Sequence, residues 1–172
     1  MTLLLRNTVL RAVEDKIESS LTNTTRKDYT KIVLAGMKAA MEKGGQGILA
    51  DLAKSKNPLE DCAKGAVNLC LLMRKKSRGT MPVKAMVPAA MTLMLHALDF
   101  VDKAGIMPIG NPEIVKATHI FATFIFSRIG VSKEMLGNAA TKLDKLASDP
   151  VNLTRMEQFS TRHVLGEGGV NG

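Results

Sequence analysis

His96, Asp99 and Asp102 are the residues whose types and spacing come closest to a chemical motif. They stand at positions i, i+3 and i+6, so His96 and Asp99 can touch if this stretch is helical. A metal site or a general base would need further ligands, or a nucleophile, converging on the same point. No spacing in the sequence supplies such a partner, so we interpret the three as ordinary boundary or surface side chains.

Motifs of catalytic and cofactor sites are missing elsewhere in the sequence. The chain contains no H-E-x-x-H, C-x-x-C or G-x-S-x-G pattern, and these mark common zinc, redox and nucleophile sites. Gly44-Gly45-Gln46-Gly47 lacks the Lys and Ser/Thr of a phosphate-binding loop, so we interpret it as a helix end and hinge. We predict a protein that is not an enzyme, without catalytic residues, cofactor or metal. The alternative is a small enzyme or ligand binder with a pocket between apolar helices.

Cys62 and Cys70 are the two cysteines. On one helix their spacing separates them by roughly 12 Å along the axis, whereas a disulfide needs Cα atoms within about 7 Å. We therefore predict two free thiols that pack as small apolar residues, as in a reducing compartment.

The charge of the chain is strongly positive, with a formal net charge of +8 and a pI of about 9.7. Such a balance favours polyanionic partners, although solubility alone explains it equally well. The dense basic run is Arg74, Lys75, Lys76 and Arg78, and we predict that it binds polyanions such as the DNA phosphate backbone. It has no interleaved aromatic residues and so is not a platform for stacking bases. A solvated helix end, whose cations complement the helix dipole, gives the same run.

The spacing of apolar residues predicts an all-α protein, a bundle of six or seven amphipathic helices with a central apolar helix pair. Residues 1–150 form a single helical domain in this interpretation, and residues 151–172 form a short helix and a flexible Gly-rich tail. Gly36 and Ala40 allow close approach of a neighbouring helix. The main expected helices cover about 2–20, 26–43, 58–76, 82–101, 112–129 and 132–149, and shorter helical pieces cover about 48–55 and 152–159.

Two Asn-Pro pairs predict where helices start. In Asn57-Pro58-Leu59-Glu60, Asn caps the helix, Pro takes its first position, and Glu60 reaches back to the cap amide. Asn111-Pro112-Glu113 repeats this signal before the second helix of the central pair. Pro88 predicts a break in the first helix of the pair, between Val83 and Val87.

The central pair carries more apolar side chains than one buried face requires. The longest apolar run, Ala85 to Leu98, is too short for a full membrane span and indicates a core or interfacial helix. Several apolar residues lie off the main stripes of the pair or beside them, and we predict that they contact another subunit or a membrane. They are Leu93, Leu95, Ile120, Phe121 and Phe126.

Residues 121–142 resemble the helix-turn-helix of DNA-binding regulators. Gly130, Val131 and Ser132 match the tight turn and the cap of the second helix, and Leu136 matches its buried position. Phe126 departs from the pattern, which has a small residue there. The resemblance implies a DNA-binding function with the second helix in the major groove. An ordinary connection between two helices gives the same residues.

Ala/Met/Gly-rich amphipathic helices, as in Met37 to Met41 and Ala85 to Leu98, accompany a low aromatic content and a Gly-rich end. In this manner the chain resembles the small helical internal or ejection-type virion proteins of tailed bacteriophages. The resemblance implies a structural or assembly protein that forms homo-oligomers, contacts other structural subunits, and acts in genome packaging or ejection. It also implies contact with DNA phosphates and a transient contact with a membrane. The first residues do not form a signal peptide, so the expected location is a virion or the host cytoplasm.

Overall fold

The computed structural model describes residues 5–41, 51–52 and 54–130. The contacts divide the chain into one unit of residues 1–128 and another of residues 129–172. The helix predicted after Ser132, the short helix near 152–159, the Gly-rich tail and the predicted boundary at residue 150 all lie outside the described residues.

Five α-helices and no β-strand make up the described part of the chain, which confirms the all-α class. The predicted total of six or seven helices, packed as a bundle, depends on the remaining residues as well and stays a prediction. The helices are α1 (Thr8–Ser20), α2 (Asn23–Met41), α3 (Pro58–Lys76), α4 (Val83–Lys103) and α5 (Asn111–Ile129).

Helix α1 begins at Thr8, later than the predicted start near residue 2. The side chain of Asn7 caps it, accepting hydrogen bonds from the backbone N–H of Val9 at 3.0 Å and of Leu10 at 3.2 Å. An amide oxygen in this position satisfies N–H groups that have no partner within the helix. Leu5, just before the cap, is buried in the core, so the segment before α1 is anchored on both sides of Asn7.

Helix α3 begins at Pro58 as predicted, but the predicted capping box is wrong. The side chain of Asn57 makes no capping hydrogen bond. Glu60 forms an ion pair with Lys64 one turn later instead of reaching back to the cap. The backbone N–H of Asn57 donates to the Ser55 hydroxyl at 2.9 Å, which supplies the partner that Glu60 was expected to provide.

Helix α5 begins at Asn111, one residue before the start at Pro112 that the second Asn-Pro pair predicted. Glu113 accepts a hydrogen bond from the backbone N–H of Gly110 at 3.0 Å, and the Gly110 carbonyl accepts the first helical bond from Ile114. Gly110 is therefore the cap, and Asn111 is already inside the helix. The ring of Phe124 further along α5 lies under Lys64 and Arg128, with cation-to-centroid distances of 5.6 and 5.0 Å.

Helix α4 is the centre of the fold and contacts α1, α2 and α3. Four successive residues of α4, Thr92 to Leu95, are all buried, so the buried surface of this helix extends well beyond one stripe. Helix α5 buries a single stripe formed by Ile114, Ala117, Phe121 and Ile125. Of the expected central pair, α4 lies at the centre of the described part, and its pairing with α5 stays a prediction.

Pro88 does not break α4, which runs without interruption from Val83 to Lys103. Proline in a helix removes one hydrogen bond and crowds the preceding turn, at a cost of about 3 kcal/mol. Ala85, Met86, Ala89 and Ala90 on the turns around it are all buried. The predicted break is wrong because burial of both turns holds them in one helix.

Gly36 lets α2 approach α4 closely, as the small residues of α2 predicted. A Cβ atom at Gly36 would lie 2.5 Å from a terminal methyl carbon of Leu93, so the leucine side chain occupies the space that any other residue would fill.

Both cysteines are free and buried in α3, which confirms that they pack as core residues.

Among the described helices, α4 alone is long and apolar enough in composition to cross a membrane. Its most apolar window has a mean hydropathy of 1.3, and 61% of that window is buried inside the protein. Contact with three neighbouring helices is the state of a core helix, and such a helix satisfies the same length and composition test.

Candidate functional site

An apolar groove of about 260 Å³ lies between α2, α3 and α4. Its lining is made almost entirely of small or apolar residues from the three helices. Most of these are only partly covered, and Met41 at its edge is 61% exposed. The small or apolar lining residues are Met37, Ala40 and Met41 of α2, Leu52 before α3, Cys62, Gly65, Ala66 and Leu69 of α3, and Leu93, Ala97 and Phe100 of α4.

Gly65 keeps the α3 wall of the groove open. The residue is exposed in the middle of a helix, where glycine is about 1 kcal/mol less favourable than alanine. A Cβ atom added there would meet no atom of the described residues within 4 Å, so the packing of the described part does not require glycine. The missing side chain leaves space on the groove side of α3.

Two polar residues, His96 and Asp61, also line the groove, and both already have partners. The His96 Nε2 atom lies 3.2 Å from a carboxylate oxygen of Glu14 in α1. The carboxylate of Asp61 accepts a hydrogen bond from the Ser55 hydroxyl at 2.5 Å. Because these groups are held by the protein itself, the groove presents mainly apolar surface to whatever enters it.

Burial disfavours ionisation of both thiols of α3. Burial, with a smaller contribution from the charge of Asp61, raises the pKa of Cys62 at the groove to about 12. Burial also raises the pKa of Cys70 to about 12. Only the thiolate is a strong nucleophile or metal ligand, so neither cysteine supplies one near neutral pH.

Of the three residues singled out in the sequence, His96, Asp99 and Asp102, the two aspartates bind the chain segments beside α4 instead of His96. Asp99 accepts hydrogen bonds from the backbone N–H of Arg6 at 3.0 Å and of Asn7 at 2.9 Å, and it pairs with Lys103. Asp102 accepts from the Asn7 amide at 3.0 Å and from the backbone N–H of Ile109 at 3.0 Å. These residues, the Asp99 cluster, join the segment before α1 and the α4–α5 loop to the end of α4.

Electrostatics favour the charged form of Asp99. Burial opposes ionisation, but the Lys103 ammonium group and the two backbone N–H groups outweigh it and hold the pKa of Asp99 below its ordinary value. An ionised carboxylate that accepts several hydrogen bonds is a structural acceptor rather than a proton donor. Among the described residues, no three His, Cys, Asp or Glu side chains lie close enough to hold a metal ion.

The predicted interface residues separate into two groups. Leu95 and Phe121 are buried within the subunit, so the described surface does not present them to a partner, whereas Leu93 is also buried but lines the groove. Leu95 is covered because α4 contacts three other helices, and Phe121 belongs to the buried stripe of α5. Ile120 and Phe126 of α5 are half-buried, and Ile120 lines a second depression of about 290 Å³ beside the start of α3.

The large exposed apolar side chains lie elsewhere, and sequence reasoning missed them. Leu34 and Met41 follow α2 together with the groove residue Met37, at spacings of three and four residues. That spacing marks a second apolar stripe beside the buried stripe of Tyr29 and Ile32. This spacing in the sequence could have predicted the exposed apolar surface of α2. The remaining exposed large apolar residues of the described part are Leu72, Val83 and Val115.

The predicted polyanion-binding residues lie at the end of α3 and in the turn after it. Arg74 is half-buried, and Lys75, Lys76 and Arg78 are exposed. The helix-turn-helix pattern is described only as far as Gly130, which has a positive φ of 78° at the end of α5. The rest of that pattern, from Val131 to residue 142, lies beyond the described ranges, so the DNA-binding alternative stays a prediction.

The chain matches no protein-family model, no curated protein and no solved structure at a significant level.

Proposed function

We propose that this chain is a non-enzymatic structural protein that self-associates, with the groove between α2 and α3 receiving apolar side chains of a second copy. The observation that carries this proposal is the groove itself, an open apolar surface of about 260 Å³ whose polar residues are already paired within the subunit. An apolar helix laid into such a groove is a common mode of protein recognition.

A second copy is the occupant that the chemistry of the surface favours. Exposed Met41 projects at the α2 edge of the groove, next to the space into which such side chains fit, and exposed Leu34 lies seven residues earlier along the same helix. A two-fold interface requires one patch that is complementary to itself, and a groove with apolar projections at its edge meets that requirement. Methionine side chains adapt their shape to a partner, which suits Met37 and Met41 to this contact.

The setting that we propose is a virion of a tailed bacteriophage or the cytoplasm of its host. The support is the resemblance of the Ala/Met/Gly-rich helices, such as Met37 to Met41, to internal virion proteins. In that setting the oligomer would also contact other structural subunits during genome packaging or ejection. Immunogold labelling of intact and opened particles tests this setting, and the absence of label from both would contradict it.

Filling the groove tests the self-association directly. Gly65→Leu places a large side chain in the groove without a clash among the described residues, because none of their atoms lies within 4 Å of the added Cβ. We expect this variant to keep its helical circular dichroism and to lose at least tenfold in self-association, measured by light scattering across protein concentrations. Asn68→Ala on an exposed position of α3 is the matched control and should associate like the wild type. If folded Gly65→Leu also associates like the wild type, the groove is not the interface.

A further inference from the structure

Five cations surround the turn between α3 and α4, and no carboxylate lies near them in the sequence. They are Arg74, Lys75, Lys76, Arg78 and Lys84, within a stretch from Cys62 to Leu98 that contains no Asp or Glu. Among the described residues none of these five forms an ion pair, whereas Lys64 pairs with Glu60 and Lys103 with Asp99. The positive charge of this basic turn, residues 72–84, is therefore not compensated by described carboxylates.

Backbone hydrogen bonds define the shape of the basic turn. The N–H of Gly79 donates to the Arg74 carbonyl at 2.9 Å, and the N–H of Ser77 donates to the Met73 carbonyl at 2.9 Å. Arg78 adopts a positive φ of 52°, which side chains other than glycine adopt rarely. Strained backbone of this kind persists only where surrounding bonds maintain it, and it occurs often at binding surfaces. The turn thus holds Arg78 in one exposed position between the two helices.

Apolar side chains lie on both sides of these cations. Leu72, two residues before Arg74, is 49% exposed, and Val83, just before Lys84, is also exposed, as is Pro82. None of these three lines the groove between α2 and α3, so the basic turn is a separate surface from the one assigned to self-association. It combines a dense positive charge with apolar side chains that the described residues cover only in part.

We propose that the basic turn binds the surface of an anionic phospholipid membrane. Lysine and arginine attract anionic headgroups, and exposed apolar side chains enter the boundary between headgroups and acyl chains. A nucleic acid would use the same cations, but its phosphates offer nothing to Leu72 and Val83, and the turn has no aromatic side chain on which a base could stack. The combination of charge with apolar flanks therefore selects a lipid surface over a polynucleotide.

Co-sedimentation of the full chain with vesicles tests this proposal. We expect binding to vesicles of phosphatidylcholine with 30% phosphatidylserine, at least tenfold tighter than to phosphatidylcholine alone, and we expect that binding to weaken in 1 M NaCl. The triple variant Lys75→Gln, Lys76→Gln and Arg78→Gln should lose about a hundredfold, since each cation near an anionic surface contributes roughly fivefold in affinity. Lys16→Gln, Lys54→Gln and Lys116→Gln removes the same charge from three other exposed positions and should lose far less.

The apolar flanks separate a membrane from a nucleic acid. Leu72→Ser with Val83→Ser should weaken vesicle binding while leaving any binding to a 30-base-pair DNA duplex unchanged. Equal vesicle binding by the basic-turn triple variant and its matched control would overturn the proposal. So would a duplex that binds more tightly than the anionic vesicles, with Leu72 and Val83 without effect, because the turn would then be a phosphate-backbone site.

Discussion

Tyr29 and Thr92 place two hydroxyl groups within an otherwise apolar contact between α2 and α4. Their oxygens lie 2.8 Å apart, and both side chains are buried. Tyr29→Phe removes the partner of the Thr92 hydroxyl, so we expect it to lower the free energy of unfolding in urea by about 1–3 kcal/mol. Adding Thr92→Val should recover part of this loss, because the second hydroxyl no longer needs a partner. A double variant less stable than Tyr29→Phe alone would contradict this interpretation.

The ionisation of Tyr29 is coupled to folding at high pH. Burial, offset in part by the Thr92 hydrogen bond, raises its pKa to about 12, against about 10 for an exposed tyrosine. The contribution to stability is therefore fully present below pH 10 and is lost as the pH rises towards 12. Tyr29 is the only tyrosine and the chain has no tryptophan, so tyrosinate absorbance reports this residue alone. We expect its titration midpoint near 12; a midpoint near 10 with intact helical circular dichroism would show that Tyr29 is accessible.

The ionisation of Asp99 makes the free energy of unfolding depend on pH in the acid range. Lys103 and the N–H groups of Arg6 and Asn7 lower its pKa against the effect of burial, so its contribution is present above pH 4 and disappears as the pH falls through the folded-state pKa. We expect Asp99→Asn to lower the free energy of unfolding at pH 7 by about 1.5–3 kcal/mol. Below pH 4 the difference from the wild type should shrink.

Asp15→Asn is the matched control for this change, because Asp15 is an exposed acidic residue of α1 outside the Asp99 cluster. Urea unfolding at pH 7 and pH 3 measures both variants. An Asp99→Asn variant whose stability loss is the same at the two pH values would mean that the carboxylate charge does not stabilise the cluster.

The contact between α2 and α4 depends on the absence of a side chain at Gly36. Gly36→Ala gains helix propensity of about 1 kcal/mol but forces the Leu93 side chain to move. Overpacking of a core typically costs about 1–3 kcal/mol, and we expect a net loss of stability in thermal or urea unfolding. Leu93→Ala should cost less in the Gly36→Ala background than in the wild type, because it removes the group that clashes.

Gly65→Ala is the control for Gly36→Ala. It makes the same change in the interior of α3, where the added methyl group has no neighbour among the described residues within 4 Å. We expect it to raise stability by about 0.5–1 kcal/mol. Additive effects of Gly36→Ala and Leu93→Ala would show that the two residues do not share one space.

Features of single helices could be predicted from the sequence, and contacts between distant segments could not. Pro58 marks the start of α3 and Gly36 marks a close helix contact, because both depend on local geometry. The bond between Arg6 and Asp99 joins residues 93 positions apart, and no pattern within one helix specifies it. Leu95 was assigned to an interface because burial along one face was assumed, whereas the buried surface of α4 extends well beyond one stripe. The groove depends in the same way on how three helices meet.

The net charge of the whole molecule resides on its described residues, which carry 18 Lys/Arg and 10 Asp/Glu, while the remaining residues carry six of each. Copies of the chain therefore repel one another at low ionic strength. Because salt screens this repulsion without weakening apolar contacts, we expect self-association to strengthen between 0.05 and about 0.5 M NaCl. Vesicle binding should weaken over the same range, so light scattering and co-sedimentation should respond in opposite directions. Self-association that weakens with salt would indicate an electrostatic interface instead of the groove.

Sedimentation equilibrium of the full chain tests most directly whether the groove is the self-association surface. The wild type is compared with Met41→Lys, which changes the groove, and with Val115→Lys as the control. Met41 is 61% exposed at the groove and Val115 is 68% exposed on α5, so each change places a cation at an exposed apolar position. An unpaired ammonium group buried in an interface is strongly unfavourable, and we predict that Met41→Lys raises the dissociation constant at least tenfold while Val115→Lys leaves it unchanged. A wild type that remains monomeric at every concentration, or a Met41→Lys variant that associates as tightly as the wild type, would contradict the assignment of the groove as the self-association surface.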